Sequence, residues 1–369
     1  MTTDATTIAV VGGGLMGLST AWELTRRGHR PIVLERFARG HLQGASHGAT
    51  RNFNNAYDQD HYLDLLVRAR EGWEALGDVD GAPLLRLHGL VTHGDVALDP
   101  MRQALETRGI PVQVLTPAEA SARWRGMRFT GDVLFSPDAG VVRAADALAE
   151  LERRSVAGGG EVRWETPVAR VDEHADGVSL ALASGAAVRA DTVVVTAGAW
   201  TTRLLGSDRM LGAERMPRLT VTEETPAHFA PLPSPDAAAW PSFNHYVDAS
   251  YPATVYGMPT PGEGVKVGFH RVGDEVDPDA RPHRTTHAEA LVRYVDEWMP
   301  GLDAASAVHL SCTYTSTDDG DFVLDRRGRL VIGAGFSGHG FKFGPGVGAV
   351  LADLALDPAA RAAEAFRLR

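Results

Sequence analysis

The amino-acid sequence predicts a mixed α/β (α+β) fold, in which a discontinuous domain built on a parallel sheet accompanies a second, mostly antiparallel domain. Two observations predict it. Apolar runs rich in β-branched residues stop at glycine near both chain ends and in the middle, at 7–11, 330–332 and 191–200. Such runs are typical of buried parallel strands. Between them, the segment 251–271 predicts further strands of a second sheet.

The first unit is a strand, a glycine turn, a helix and a second strand. Residues 7–11 predict the first strand, and apolar positions at helical spacing predict a helix over 15–27 that ends near Gly28. Residues 31–35 predict the second strand. This βαβ unit is the most clearly patterned part of the chain.

The remaining elements follow the same patterns. We predict a helix at 60–76, a strand with a β-meander at 161–189, a surface loop at 225–241, a glycine-rich turn at 333–348 and a helix at 350–356. Discontinuous segments then form one domain, which we place at 1–85, 140–215 and 310–369. We place the second domain at 86–139 and 216–309.

Composition narrows the class of protein. The chain has 369 residues and a formal net charge of −11, which argues against nucleic acid or an anionic membrane as the main partner. We expect no signal peptide and no spanning helix, because no long apolar run is present. The single cysteine, Cys312, fits a reducing cytoplasm. We therefore expect a cytoplasmic protein.

Gly12, Gly14 and Gly17 form a G-x-G-x-x-G motif directly after the first predicted strand. The glycines permit a tight turn, close approach of a pyrophosphate and packing of the helix on the strand. The helix N-terminus offers free N–H groups to the phosphates. Glu35, at the end of the second strand, is placed to bind an adenosine ribose. The motif predicts a dinucleotide but does not separate FAD from NAD.

The C-terminal run 335–348, preceded by Cys312-Thr-Tyr314, indicates which cofactor is bound. It resembles the monomeric sarcosine oxidase and N-methyltryptophan oxidase family of flavoenzymes, within the D-amino-acid-oxidase-like group. The resemblance extends to segments 46–51, 196–200 and 266–270, in family order. It implies a Rossmann-type FAD-binding domain and a substrate domain.

The resemblance implies roles for three residues. Cys312 matches the cysteine that carries the flavin covalently. Lys266 matches the lysine that promotes reaction with oxygen, where a fixed cation stabilises the developing superoxide charge. Lys342 matches the lysine that pairs with the substrate carboxylate.

Further residues follow from the same resemblance. Tyr256, Tyr314 and His270 match residues that line the substrate pocket, and Arg51 matches an arginine against the flavin. The cofactor site is then expected to comprise Gly12, Gly14, Gly17, Glu35, Arg36, Ser46, Thr50, Arg51, Cys312, Gly338, Gly340 and Lys342. We interpret the other histidines, including His283 and His287, as surface residues and expect no metal site.

The sequence departs from the family pattern at two positions. Where relatives that oxidise sarcosine carry a second arginine, this chain has Asn54, and where they carry glutamate it has Gln59. Loss of a bidentate arginine removes a contact worth about 1.5–3 kcal/mol. We therefore expect Asn54 to contact the substrate, but sarcosine to be a poor one.

The resemblance implies oxidation of a secondary amine, or of an N-substituted or cyclic amino acid, to an imine, with O2 reduced to H2O2. Two alternatives of the same fold stay open: a dehydrogenase that passes electrons to a carrier, and a biosynthetic imine- or ring-forming oxidase. A non-catalytic nucleotide-binding protein has no reason to carry Cys312, Lys266 and Lys342 together. We expect a monomer or small homo-oligomer with a small-molecule partner.

Overall fold

A computed structural model describes residues 7–206, 210–211, 214–233 and 237–368. It confirms the mixed α/β fold. Its α-helices are α1 (Leu15–Arg26), α2 (Asp60–Leu76), α3 (Leu98–Thr107), α4 (Pro117–Arg123), α5 (Ala144–Ala157), α6 (Thr201–Leu205), α7 (Ala288–Trp298) and α8 (Gly344–Leu356).

The strands of the first half are β1 (Ile8–Val11), β2 (Ile32–Leu34), β3 (Thr50–Phe53), β4 (Asp78–Val79), β5 (Ala82–Pro83), β6 (Leu85–Leu87), β7 (Leu90–Gly94), β8 (Gln113–Leu115), β9 (Val133–Ser136), β10 (Gly140–Arg143), β11 (Glu161–Arg163), β12 (Val168–His174), β13 (Gly177–Leu182) and β14 (Ala187–Ala190). Those of the second half are β15 (Thr192–Val195), β16 (Met210–Leu211), β17 (Glu214–Arg215), β18 (Thr220–Glu224), β19 (Ala227–Phe229), β20 (Ser242–Tyr246), β21 (Val255–Thr260), β22 (Gly264–Phe269), β23 (Asp274–Glu275), β24 (Val308–His309), β25 (Cys312–Ser316), β26 (Val323–Arg327) and β27 (Leu330–Ala334).

A six-stranded sheet joins the two ends of the chain. Its order is β11-β2-β1-β15-β27-β26, and every neighbouring pair is parallel except the edge pair of β26 with β27. Helices α1, α2, α5 and α8 supply most of the apolar core on one face of this sheet. The meander of β12, β13 and β14 covers the other face. The three strands that end in glycine turns therefore meet in one sheet, as the sequence predicts.

The second large sheet has eight strands. Its order is β24-β19-β22-β21-β20-β7-β9-β8, and its pairs are antiparallel except β20 with β7. Helix α7 packs its apolar side against this sheet, with Tyr294 and Val295 fully buried. Strand β25 pairs with β18, outside both large sheets. The exact boundaries between two domains stay a prediction.

The predicted surface loop at 225–241 is wrong in part. Ala227, His228 and Phe229 form β19, which is buried between β22 and β24. Pro226 precedes the strand and Pro231 follows it, so proline bounds the strand without interrupting its hydrogen bonds. Residues 234–236 of this loop lie outside the described residues.

The C-terminal helix begins earlier than predicted. Helix α8 begins at Gly344, within the segment that the sequence predicts as a turn. A Cβ at Gly346 would lie 2.7 Å from the Leu65 carbonyl oxygen, and one at Gly348 would lie 2.6 Å from the backbone of Ser19. The glycines therefore let α8 pack closely on α2 and α1. No helix of the described residues is long and apolar enough to cross a membrane.

Candidate active site

A cavity of about 950 Å³ extends from the first glycine turn to the C-terminal glycine run. This volume is at the upper end of the range of about 300–1,000 Å³ usual for ligand sites. The predicted cofactor residues that line it are Gly12, Gly14, Glu35, Arg36, Ser46 and Gly340. Its shape and lining suit a long dinucleotide.

The glycine turn brings β1, α1 and β15 into close contact. A Cβ at Gly17 would lie 1.8 Å from the Gly12 carbonyl oxygen, so only glycine fits there. Gly14 is the N-cap residue of α1, and because it has no side chain it leaves the first N–H groups of the helix uncapped by that residue. The Ser46 hydroxyl accepts a hydrogen bond from the Leu15 N–H at 3.1 Å. Ser46 thus occupies one of the N–H donors of the first turn.

Glu35 is fixed at the end of β2 by backbone donors. Its Oε2 accepts a hydrogen bond from the Gly13 N–H at 2.6 Å, and its Oε1 accepts one from the Phe37 N–H at 2.9 Å. Each carboxylate oxygen retains a further lone pair for a ligand hydroxyl. Arg36 also lines the cavity, and its guanidinium pairs with Asp279 at 3.0 Å and lies over the Trp200 ring.

A second, small cavity of about 60 Å³ adjoins the large one, and both are lined by residues 47–49 and Glu263. Cys312, Lys266, Thr50 and Arg51 line the small cavity. The Cys312 side chain is buried. These four predicted residues therefore lie together, although they come from three different strands.

Lys266 and Arg51 are both cations without a carboxylate partner among the described residues. Arg51 donates to the backbone carbonyls of Ala45, His47 and Thr50. The Lys266 ammonium has no hydrogen bond within the part of the chain that the structure describes, and only 6 % of the residue is exposed. Burial, followed by the charge of Arg51, lowers the pKa of Lys266 to about 7.

Lys342 lies on the short 3₁₀ turn Phe341–Phe343, away from the small cavity. Its ammonium donates to the Tyr57 hydroxyl and to the His339 carbonyl, each at 2.9 Å. Burial lowers the pKa of Lys342 to about 7. An ammonium has three N–H donors, so one remains for a ligand.

His270, Tyr256 and Tyr314 form a group beside Lys342. The rings of His270 and Tyr314 lie 5.6 Å apart, and Tyr256 and Tyr314 are close enough for each to affect the pKa of the other. Burial and the charge of Lys342 lower the pKa of His270 to about 4, so its imidazole is neutral at neutral pH. A Cβ at Gly338 would lie 2.2 Å from the Tyr314 ring, which only glycine avoids.

Asn54 is held by neighbouring groups. Its Nδ2 donates to Asn244 Oδ1 at 3.0 Å, and its Oδ1 accepts a hydrogen bond from the Ala56 N–H at 2.8 Å. Asn244 pairs in register with Tyr256, so Asn54 reaches the same row of the sheet as the tyrosine group. Gln59 is exposed as the N-terminal cap of α2.

Sequence reasoning missed several residues of the site. Tyr57, Asn244 and Glu263 lie in no motif, and only long-range contacts bring them to the site. The interpretation of the remaining histidines as surface residues is wrong for part of the set. His93, His228 and His245 are buried in the eight-stranded sheet, and His339 bonds Tyr57 at 3.0 Å through Nδ1. For His228, the apolar neighbours Ala227 and Phe229 would have been the signal.

The residues present suit FAD. The glycine turn leaves room for a pyrophosphate, Glu35 faces the same cavity, and Cys312 lines the adjoining small cavity. Among the described residues, no cluster of three or more His, Cys, Asp or Glu side chains could hold a metal ion.

Residues 7–354 match the family described as FAD dependent oxidoreductase, and the chain belongs to that family. It is 32% identical to the peroxisomal sarcosine oxidase of Homo sapiens, over 94% of this chain and 91% of the relative. It is 29% identical to the monomeric sarcosine oxidase of Bacillus sp. (strain B-0618), over 95% of this chain and 92% of the relative.

The fold is similar to that of NikD, an unusual amino acid oxidase essential for nikkomycin biosynthesis, in its open form. The TM-score is 0.82 at 25% identity, over 100% of this chain and 98% of that one. The resemblance to the sarcosine oxidase family is thereby confirmed, and the chain is an FAD-dependent oxidoreductase.

Proposed function

We propose that this protein oxidises the C–N bond of a secondary amine, or of an N-substituted or cyclic amino acid, to an imine and passes the electrons to O2. The arrangement of Lys342 carries the proposal. Its ammonium is buried, has two neutral acceptors and has no carboxylate partner among the described residues. A buried cation is costly unless an anion joins it, and a substrate carboxylate supplies that anion.

His270 prepares the substrate amine. Its neutral imidazole, with a pKa lowered to about 4, adds no positive charge beside Lys342. It accepts a hydrogen bond from the amine, while the Tyr256–Tyr314 pair closes the pocket against water. An amine in its free-base form has the lone pair that imine formation requires. When bound, FAD accepts the two electrons and the proton that leave the substrate carbon.

The buried position of Lys266 supports the proposal that oxygen is the electron acceptor. Electron transfer to O2 develops negative charge, which a fixed cation in a dry cavity stabilises. The adjacent Cys312 is the proposed point of covalent attachment of the flavin. Together with Arg51, these residues form the oxygen-reacting side, and Lys342 with His270 forms the substrate side.

Asn54 supports a substrate other than sarcosine. Its amide is already bonded to Asn244 and to the Ala56 N–H, so it gives a substrate carboxylate no charged partner. The missing arginine corresponds to about ten- to hundredfold weaker binding of a small zwitterion. A larger amine that gains affinity from apolar contacts suits the pocket better. A cytoplasmic location and a monomer or small homo-oligomer complete the proposal.

A peroxide-release screen tests the proposal. Secondary amines, cyclic amino acids and N-methyl amino acids are each incubated with the holoenzyme in air, and with a redox dye under nitrogen. We expect stoichiometric H2O2 with at least one bulky N-substituted amino acid and slower turnover of sarcosine. Dye reduction without peroxide would indicate a dehydrogenase, and sarcosine as the clear favourite would contradict the assignment of Asn54.

A further inference from the structure

The small cavity is lined by polar groups that have no part in the roles proposed for Cys312 and Lys266. His47 and His228 also line it, and the Nε2 atom of His47 is buried without a hydrogen-bond partner in the described residues. Native proteins rarely leave buried polar atoms unpaired. The volume of about 60 Å³ exceeds the space that one water molecule needs. The cavity is therefore built to hold something polar and small.

Lys266, His228 and Glu263 form a line from this cavity to the surface. His228 on β19 lies opposite Lys266 on β22 in the antiparallel register, so their side chains are neighbours on one face. His228 Nε2 lies 3.3 Å from Glu263 Oε2. His228 is buried, whereas the Glu263 side chain is 47% exposed. Glu263 thus connects the buried imidazole with solvent.

The electrostatics fit stepwise proton transfer along this line. The charge of Glu263 opposes the effect of burial on both Lys266 and His228. Burial still lowers the pKa of His228, which keeps it neutral and able to accept and donate a proton. Lys266, with a pKa of about 7, exchanges its proton near neutral pH. The other groups that face His228 from neighbouring elements are Arg51, His47 and Cys312.

We propose that Glu263 and His228 relay protons from solvent to Lys266 during the reduction of oxygen. Reduction of O2 to H2O2 consumes two electrons and two protons. Bound reduced FAD would supply the two electrons and one proton, and the Lys266 ammonium supplies the second proton. His228 then returns a proton to Lys266, directly or through a water in the cavity, and Glu263 passes one from solvent to His228. Both are positioning residues, since neither touches the substrate.

The relay rests on the proposed function, because it requires oxygen as the acceptor. It leaves substrate oxidation untouched, since Lys342 and His270 lie outside the small cavity. The two half-reactions of the holoenzyme therefore separate its effects. Reduction by substrate under nitrogen should be the same in wild type and relay variants, and reoxidation in air should differ.

The test uses Glu263→Gln and His228→Gln. Glu289→Gln, at an exposed position in the first turn of α7, removes the same charge away from the cavity. We expect reoxidation to slow about tenfold in both relay variants and not in the control. A solvent deuterium isotope effect on reoxidation should increase, and added imidazole should restore part of the rate. A structural role for these residues would give no such rescue.

An independent readout uses the holoenzyme labelled with ¹³C-histidine. NMR should show the His228 pKa falling in Glu263→Gln, because the carboxylate that raises it is gone, with no change in Glu289→Gln. Wild-type reoxidation rates in both relay variants would overturn the relay alone, and Glu263→Gln decides this if His228→Gln does not fold. Reduced wild type that ignores O2 but reduces a dye would overturn the proposed function and the relay together.

Discussion

The two ends of the site, the glycine turn and the region of the two buried lysines, are built on opposite principles. At the end of β1, the Gly13 and Leu15 N–H groups are already bonded to Glu35 and Ser46, and none of the described residues lining the cavity there is a buried lysine or arginine. At the other end, Lys266 and Lys342 are buried without any carboxylate partner in the described residues. The hydrogen bonds at the glycine turn are therefore formed before a ligand binds, whereas the charges of the two lysines are paired only by ligands.

The difference explains where specificity and reactivity lie. Backbone geometry determines how the nucleotide binds, and this geometry depends on residues close in sequence. Unpaired charge determines chemistry, and it depends on side chains brought together from distant strands. Each prediction below alters one end and leaves the other as its control.

The largest effect is expected from Gly17→Ala at the nucleotide end. The added methyl group would lie 1.8 Å from the Gly12 carbonyl oxygen, so the turn must open. We expect purified protein without flavin, as judged by the ratio of flavin to protein absorbance. Gly131→Ala is the matched control, since nothing lies within 4 Å of its Cβ position. Full flavin content in Gly17→Ala would disprove the role of the turn.

Cys312→Ser should abolish covalent attachment at the other end. Cys312 is the single cysteine of the chain, so no other thiol can replace it. We expect denatured wild type to retain yellow fluorescence on a gel and the variant to release all its flavin. The native variant should still bind FAD, because the glycine turn is intact. Flavin retained by the denatured variant would refute the assignment.

The pH dependence of carboxylate binding tests Lys342. Its pKa of about 7 means that the ammonium loses its proton as the pH rises through that value. The affinity for a carboxylate that cannot be oxidised, such as propionate, should therefore fall above pH 7, approaching tenfold per pH unit. Perturbation of the flavin spectrum measures the binding. Lys342→Met should bind weakly with no such slope, and an identical slope in the variant would assign it to another group.

The smallest effect is expected from Asn54→Arg. The new guanidinium restores a charged partner for a small carboxylate but must displace the hydrogen bond to Asn244. We expect the KM for sarcosine to fall about tenfold, with little change for a neutral amine. Asn54→Gln, which lengthens the side chain without charge, should give no improvement. Equal gains in both variants would attribute the effect to size.

The nucleotide end could be predicted from sequence because its determinants are local. Gly12, Gly17 and Glu35 belong to one strand–helix–strand unit, whose order alone specifies the turn. Helix α2 was likewise predicted at its observed bounds, since its apolar spacing is regular.

The substrate end could be predicted only through resemblance, and only for residues within motifs. Tyr57 bonds Lys342 from far along the chain, and no pattern in the sequence joins them. The start of α8 was missed because glycine usually marks a turn, whereas Gly346 and Gly348 serve close helix packing. Strand β19 was missed because flanking prolines resemble those of a loop.

The central claim is that the two buried lysines divide the reaction between them. Stopped-flow measurement of both half-reactions in Lys266→Met and Lys342→Met tests it most directly. Lys266→Met should slow reoxidation by O2 about 10²–10³-fold and leave reduction by an amino acid nearly unchanged. Lys342→Met should raise the substrate concentration needed for reduction about 10–100-fold and leave reoxidation nearly unchanged. If each variant slowed both half-reactions equally, the division of roles would be contradicted.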